Sequence, residues 1–199
     1  MTNAPTIYGH PSALGNLPDD MAYVKEAVLA WRDWEFPRSV VRSFYGSGFG
    51  ELWEILHNVR IQVSYKADSL EEHRWQKPQS LVCSPSDTYL RGDCEDFALY
   101  YAGLAHYVYG IDPEDIFVTV MHLPKEDISA FGNTAGKPFN VPMVHAVCVI
   151  RTEGGNKVLD QRAIEVTDDT PDADIAPIFS INLNGEVFWH SPPARKETA

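Results

Sequence analysis

The chain has 199 residues and a formal net charge of −12, from 16 Lys and Arg against 28 Asp and Glu. That length suits one domain with a sizeable core, and an aromatic content of 12% is too rich for a disordered chain. The acidic balance argues against a nucleic-acid binder, which carries a basic face; no run of about eighteen apolar residues offers a membrane span, and no basic-then-apolar start offers a secretory signal.

Residues 1–18 are rich in Pro, Gly, Asn and Ser and read as an extended lead-in; residues 19–191 read as one domain, and residues 192–199 as a frayed tail. Asp19 and Asp20 open a helix that runs from Met21 to about Trp34, with Val24, Ala27, Val28, Trp31 and Trp34 at helical spacing. Pro37 closes it. The glycine-rich Tyr45–Gly50 lacks the Lys-Ser/Thr pair of a phosphate loop and reads as a connector. A second helix covers Glu51 to Val63 and buries Leu52, Ile55, Leu56 and Val59.

Ser64 to Arg91 is polar and broken by Pro78 and Pro85. The third helix, about Asp93 to Tyr109, is apolar nearly all round, so it is central and buried, and Gly110 ends it. Then the period changes. Strands are predicted at Ile116–Met121, at Val144–Arg151 and from Lys157 into Asp160, the last two joined by a turn at Glu153–Asn156. A final pair, near Phe179–Leu183 and Glu186–His190, turns at Asn184-Gly185. Helices first and strands second is the α+β pattern. The loop from His122 to Pro142, about twenty residues, is long enough to be a lid or a solvated insertion.

Chemistry concentrates in Gly92-Asp93-Cys94-Glu95-Asp96-Phe97-Ala98. Asp93 is a good N-cap, with Asp96 three residues on as in a capping box. Cys94 then opens a buried helix, where the N-terminal partial charge favours a thiolate and the Cys94 N–H faces a developing oxyanion. Three carboxylates oppose this: Asp93, Glu95 and Asp96 should raise the thiol pKa. A hard cation such as Ca²⁺ would offset them, whereas a solvated acidic helix end is the plainer reading. A cysteine nucleophile needs a base and a group that orients it. His145 and Asp160 stand on successive strands, and a turn over 152–155 puts His145 opposite Arg162, with Asp160 its diagonal neighbour. One residue of slip would part them.

These segments resemble the transglutaminase-like superfamily, and within it the bacterial transglutaminase-like cysteine proteinases of the LapG type. The resemblance rests on Gly92–Ala98, Val144-His145-Ala146-Val147 and Val158-Leu159-Asp160, with Trp75-Gln76-Lys77-Pro78 similar to the family's upstream Trp-x-x-Pro segment. It covers roughly residues 52–162. It implies a transglutaminase-like (papain-like) α+β fold, with the cysteine helix packed on an antiparallel sheet. It further implies Cys94 as nucleophile, His145 as base and acid, and Asp160 as the residue that orients the imidazole. Asp93, Glu95 and Asp96 match calcium-binding positions. The reaction implied is acyl transfer on a protein or peptide substrate, with water or an amine as acceptor. Crosslinking by transglutamination and a non-catalytic calcium-binding or virion module are the alternatives. LapG-type proteases are periplasmic, and without a visible signal a cytoplasmic or phage-associated location is the expectation here.

Other candidates are weaker. Trp75 is either an oxyanion donor through its indole N–H or a core aromatic. Cys83 and Cys148 read as packing residues, His122 as a backup base, and Asp168, Asp169, Asp172 and Asp174 as a solvated acidic loop.

Overall fold

The computed structural model describes residues 17–42, 51–65, 75–78, 90–122, 144–163, 165–168 and 176–190. Helix α1 spans Leu17–Arg32 and buries Val24, Ala27, Val28 and Trp31. It starts before the expected Met21, with Pro18 in its first turn, where a missing N–H costs nothing. Pro37 does more than end a helix. Its carbonyl accepts the N–H groups of Val40 (2.9 Å) and Val41 (3.1 Å), opening a short helix α2, Arg38–Arg42, that the sequence reading lacked. Helix α3, Glu51–Gln62, buries Ile55, Leu56 and Val59.

Strand β1 (Val63–Tyr65) continues directly from α3 and pairs in parallel with β2 (Leu90–Gly92). This pair was not foreseen, since three residues are too few to show a period. Helix α4, Cys94–Tyr109, is the central helix, with every side chain from Phe97 to Ala105 buried. Trp31, Phe36 and Tyr100 form an aromatic cluster against it, their ring centroids 5.4–6.0 Å apart. Gly110, at φ +67°, caps α4, and its N–H donates to His106 O at 3.0 Å.

The remaining strands are β3 (Ile116–His122), β4 (Val144–Thr152), β5 (Gly155–Leu159), β6 (Thr167–Asp168), β7 (Ala176–Asn182) and β8 (Val187–Trp189). They form one antiparallel sheet in the order β6-β5-β4-β3-β7-β8. Alternation divides its side chains. Val118, Val120, Ala146, Cys148, Ile150, Phe179 and Ile181 join the helices in the main core. Phe117, Met121, Val147 and Val149 form a smaller cluster with Val158 and Phe188.

The β4–β5 register, Cys148↔Leu159 through Thr152↔Gly155, is the one the sequence implied. One detail differs. Asp160 lies just beyond β5, where its carboxylate accepts the Arg162 N–H at 2.9 Å and its carbonyl accepts the Ala163 N–H at 3.0 Å. That Asx-type turn ends the ladder. Among the described residues no helix is long and apolar enough to cross a membrane. Leu17 and Pro18, expected in the lead-in, open α1 instead; Cys83, residues 1–16, the tail expected over 192–199, the loop beyond His122, Asp169, Asp172, Asp174 and the His122 side chain lie outside what is described.

Candidate active site

Cys94 is the first residue of α4, held there by its neighbours. The Asp93 N–H donates to Asp96 Oδ2 at 3.3 Å, the return arm of the expected capping box. Gly92 must be glycine, because a Cβ would stand 2.6 Å from both Cβ and Oδ2 of Asp96. Asp96 is fully buried and also binds Gln76: the Gln76 backbone N–H donates to Oδ1 (2.9 Å) and its Nε2 to Oδ2 (2.7 Å). The Trp75–Pro78 segment is thereby tied to the start of the cysteine helix. Trp31 Nε1 donates to Gln76 O (2.8 Å), and Tyr23 Oη donates to Trp75 O (3.1 Å). Gln76 was not among the sequence-derived candidates. Its signal, an amide beside the tryptophan, carries meaning only once Asp96 is known to face it.

The Cys94 thiol donates to Glu95 Oε2 at 3.2 Å. Burial pushes its pKa well up, and the charges of Glu95 and Asp93 push the same way; the backbone N–H of Ala146, bonded to the sulfur, pulls against them. The acids thus oppose ionisation, as charge arithmetic said they should. The Ala146 bond sets the Cys94 thiol against the residue that follows His145 on β4.

His145 is 1% exposed, and its Nε2 lies 3.1 Å from Asp160 Oδ1. A carboxylate can only accept, so Nε2 carries the proton and Nδ1 is the basic nitrogen. Burial alone would raise the Asp160 carboxyl, but hydrogen bonds from His145 and Arg162 outweigh it and hold the group well below the usual carboxylate range. Arg162, also unforeseen as a site residue, grips Asp160 through its guanidinium, with Nη2 to Oδ2 at 2.7 Å. The structure thus bonds His145 to Asp160 where β4 runs on past the end of β5, and brings Cys94 to the backbone of Ala146, one residue along β4 from His145.

Trp75 is half-buried against the main core, its ring stacked over Phe179 at 6.5 Å. Cys148 is fully buried, with its thiol pushed up by burial, and is a packing residue as expected. Asp168 is exposed and pairs with Lys157.

The carboxylates fit a cation in part. Asp93 and Glu95 are buried and hydrogen-bonded side chain to side chain, and burial raises the Glu95 carboxyl. Two acids that close need a proton or a cation to share. Asp96 is engaged by Gln76 instead, and among the described residues no three His, Cys, Asp or Glu side chains group as a metal cluster.

No family model and no curated protein matches the sequence. Solved structures do. The chain is similar to calcium-bound Legionella pneumophila LapG at 14% identity and TM-score 0.53, over 90% of this chain and 84% of that one. EGTA-treated LapG from the same organism matches at 14% identity and TM-score 0.54, over 98% and 90%. A further LapG structure matches at 16% identity and TM-score 0.52, over 94% and 90%. The chain thus has the α+β, transglutaminase-like fold of LapG.

Proposed function

On the fold shared with LapG, we propose that this chain is a cysteine peptidase or amidase that works through Cys94, His145 and Asp160. One observation carries the reading: the Cys94 sulfur sits on the Ala146 N–H while the adjacent His145 is bonded to Asp160. In the proposed reaction Cys94 Sγ attacks the carbonyl carbon of a peptide and passes its proton to His145 Nδ1. The Cys94 N–H, one of the orphan donors of a helix N-terminus, faces the oxyanion, with the Trp75 indole as the second candidate donor. His145 then gives its proton to the leaving amine. A water molecule, deprotonated by His145, opens the thioester to a carboxylic acid. Asp160 keeps the imidazole in the required tautomer throughout.

LapG has been solved bound to calcium. We extend that ion to this chain, with Asp93 and Glu95 as the residues that would hold it. A bound calcium ion supplies positive charge beside Cys94, cancelling the field that now favours the thiol. That same field supports a second reading, in which the site binds calcium and does no chemistry.

Labelling the folded protein with iodoacetamide, followed by peptide mass mapping, separates the two. The peptidase reading expects Cys94 to react at least tenfold faster than Cys83 and Cys148 once calcium is added, because a thiolate, not a thiol, is the nucleophile. It also expects hydrolysis of a fluorogenic peptide library that Cys94→Ala abolishes. Equal labelling of all three thiols would favour the binding module.

A further inference from the structure

Asp160 serves more than His145. Its Oδ2 accepts from Arg162 Nη2 at 2.7 Å and from Nε at 2.9 Å. Its Oδ1 accepts the Arg162 backbone N–H at 2.9 Å, the Nε more weakly at 3.2 Å, and His145 Nε2 at 3.1 Å. Each oxygen is saturated, and a planar fork meets a planar carboxylate edge-on. The Asp160 side chain is 11% exposed and that of Arg162 27%, so the guanidinium closes the carboxylate from the solvent side.

The setting makes such a grip necessary. Asp160 stands on a turn past the end of β5, where no ladder bond fixes its backbone against β4. The terminal torsion of an Asp side chain is broad. Left to itself, that carboxylate would present either oxygen, at varying tilt, to the imidazole. The charged and titratable groups around it are Arg162 on its own turn, His145 on β4, Tyr101 from α4 and Arg60 from α3. Arg60 does not bind the carboxylate in the bonds described; its Nη1 donates to Ala163 O at 2.6 Å and braces the turn. Arg162 alone among these cations is bonded to the carboxylate.

Resting on the peptidase reading above, we propose that Arg162 is a positioning residue. Its guanidinium fixes the plane of the Asp160 carboxylate so that Oδ1 faces His145 Nε2 and the imidazole is held in one tautomer, with Nδ1 as the base. An ordinary surface ion pair would contribute little and would tolerate lysine. A positioning fork would not, because lysine keeps the charge but presents a point donor on a flexible stem.

The test compares the full-length wild type with Arg162→Lys and Arg162→Met, using ¹⁵N NMR of labelled histidine and the iodoacetamide rate of Cys94 at pH 7. The wild type should show His145 as a single tautomer protonated at Nε2. Both variants should show a mixture of tautomers and an alkylation rate lower by about tenfold, a typical cost for losing the partner that orients a catalytic ligand. A single unchanged tautomer in Arg162→Lys would overturn the proposal. Should Arg162→Met fail to fold, as a melting curve would reveal, the lysine variant decides. The peptidase reading fails separately: there, wild-type Cys94 would react no faster than Cys148, and the tautomer comparison would still stand.

Discussion

Side chains away from the thiol also leave measurable marks. His190 is buried, its Nε2 sharing a 2.8 Å hydrogen bond with Ser180 Oγ, which in turn meets Thr119 Oγ1 at 2.7 Å. Its Nδ1 has no hydrogen-bond partner among the described residues. Burial lowers the His190 pKa to about 3. The folded state therefore keeps this imidazole neutral, while an unfolded chain takes up a proton below the ordinary value of about 6.5. Stability should fall as pH drops from there toward 3, by about 2 kcal/mol from this residue alone at pH 5. Urea unfolding at pH 7.5 and pH 5 checks it: the wild type should lose more than His190→Gln does. Equal losses would mean that the site tolerates the charge. Nothing in the sequence marked His190, because one histidine at a strand end has no pattern. Only the pairing of Thr119 with Ser180 in the β3–β7 register builds its polar pocket.

Among the elements, the start of α4 is the most constrained. A side chain at Gly92 would collide with Asp96, whose oxygens hold both the helix cap and the Trp75–Pro78 segment. Gly92→Ala should cost about 1–3 kcal/mol, and Asp96→Ala about as much, since it strands the half-buried donors of Gln76. Thermal melts measure both, and a change under 0.5 kcal/mol in either would show that the cap is dispensable. This helix was legible in the sequence because three signals agreed: the acids at its start, a stretch from Phe97 to Tyr109 that is apolar but for His106, and the terminal glycine. Strands β4 and β5 were legible from their apolar residues and the turn between them, and their register followed from turn length. The β1–β2 pair and the Arg162 fork were not. The first is too short for periodicity, and the second depends on a turn that only the carboxylate itself creates.

At the scale of the whole molecule, a likeness of TM-score 0.53 at 14% identity says that the packing pattern, not the residues, is what the chain shares with LapG. The net charge of −12 gains meaning here too. Among the described residues most acids are exposed, but the buried Asp93 and Glu95 lie side chain to side chain and need a proton or a cation between them. Calcium at a hundredfold excess over its dissociation constant should therefore raise the melting temperature by roughly 5–10 °C. Asp93→Asn with Glu95→Gln should erase the rise, and magnesium should give less. A melting point indifferent to calcium would remove the ion from the proposal. The strand order carries a last consequence. His145 and Asp160 flank one hairpin, whose first strand, β4, packs on α4 beside β3, and β3 in turn pairs with β7 on its other side. During synthesis Cys94 leaves the ribosome well before His145 and Asp160. Until β7 follows, a growing chain carries Cys94 without the complete sheet on which α4 packs.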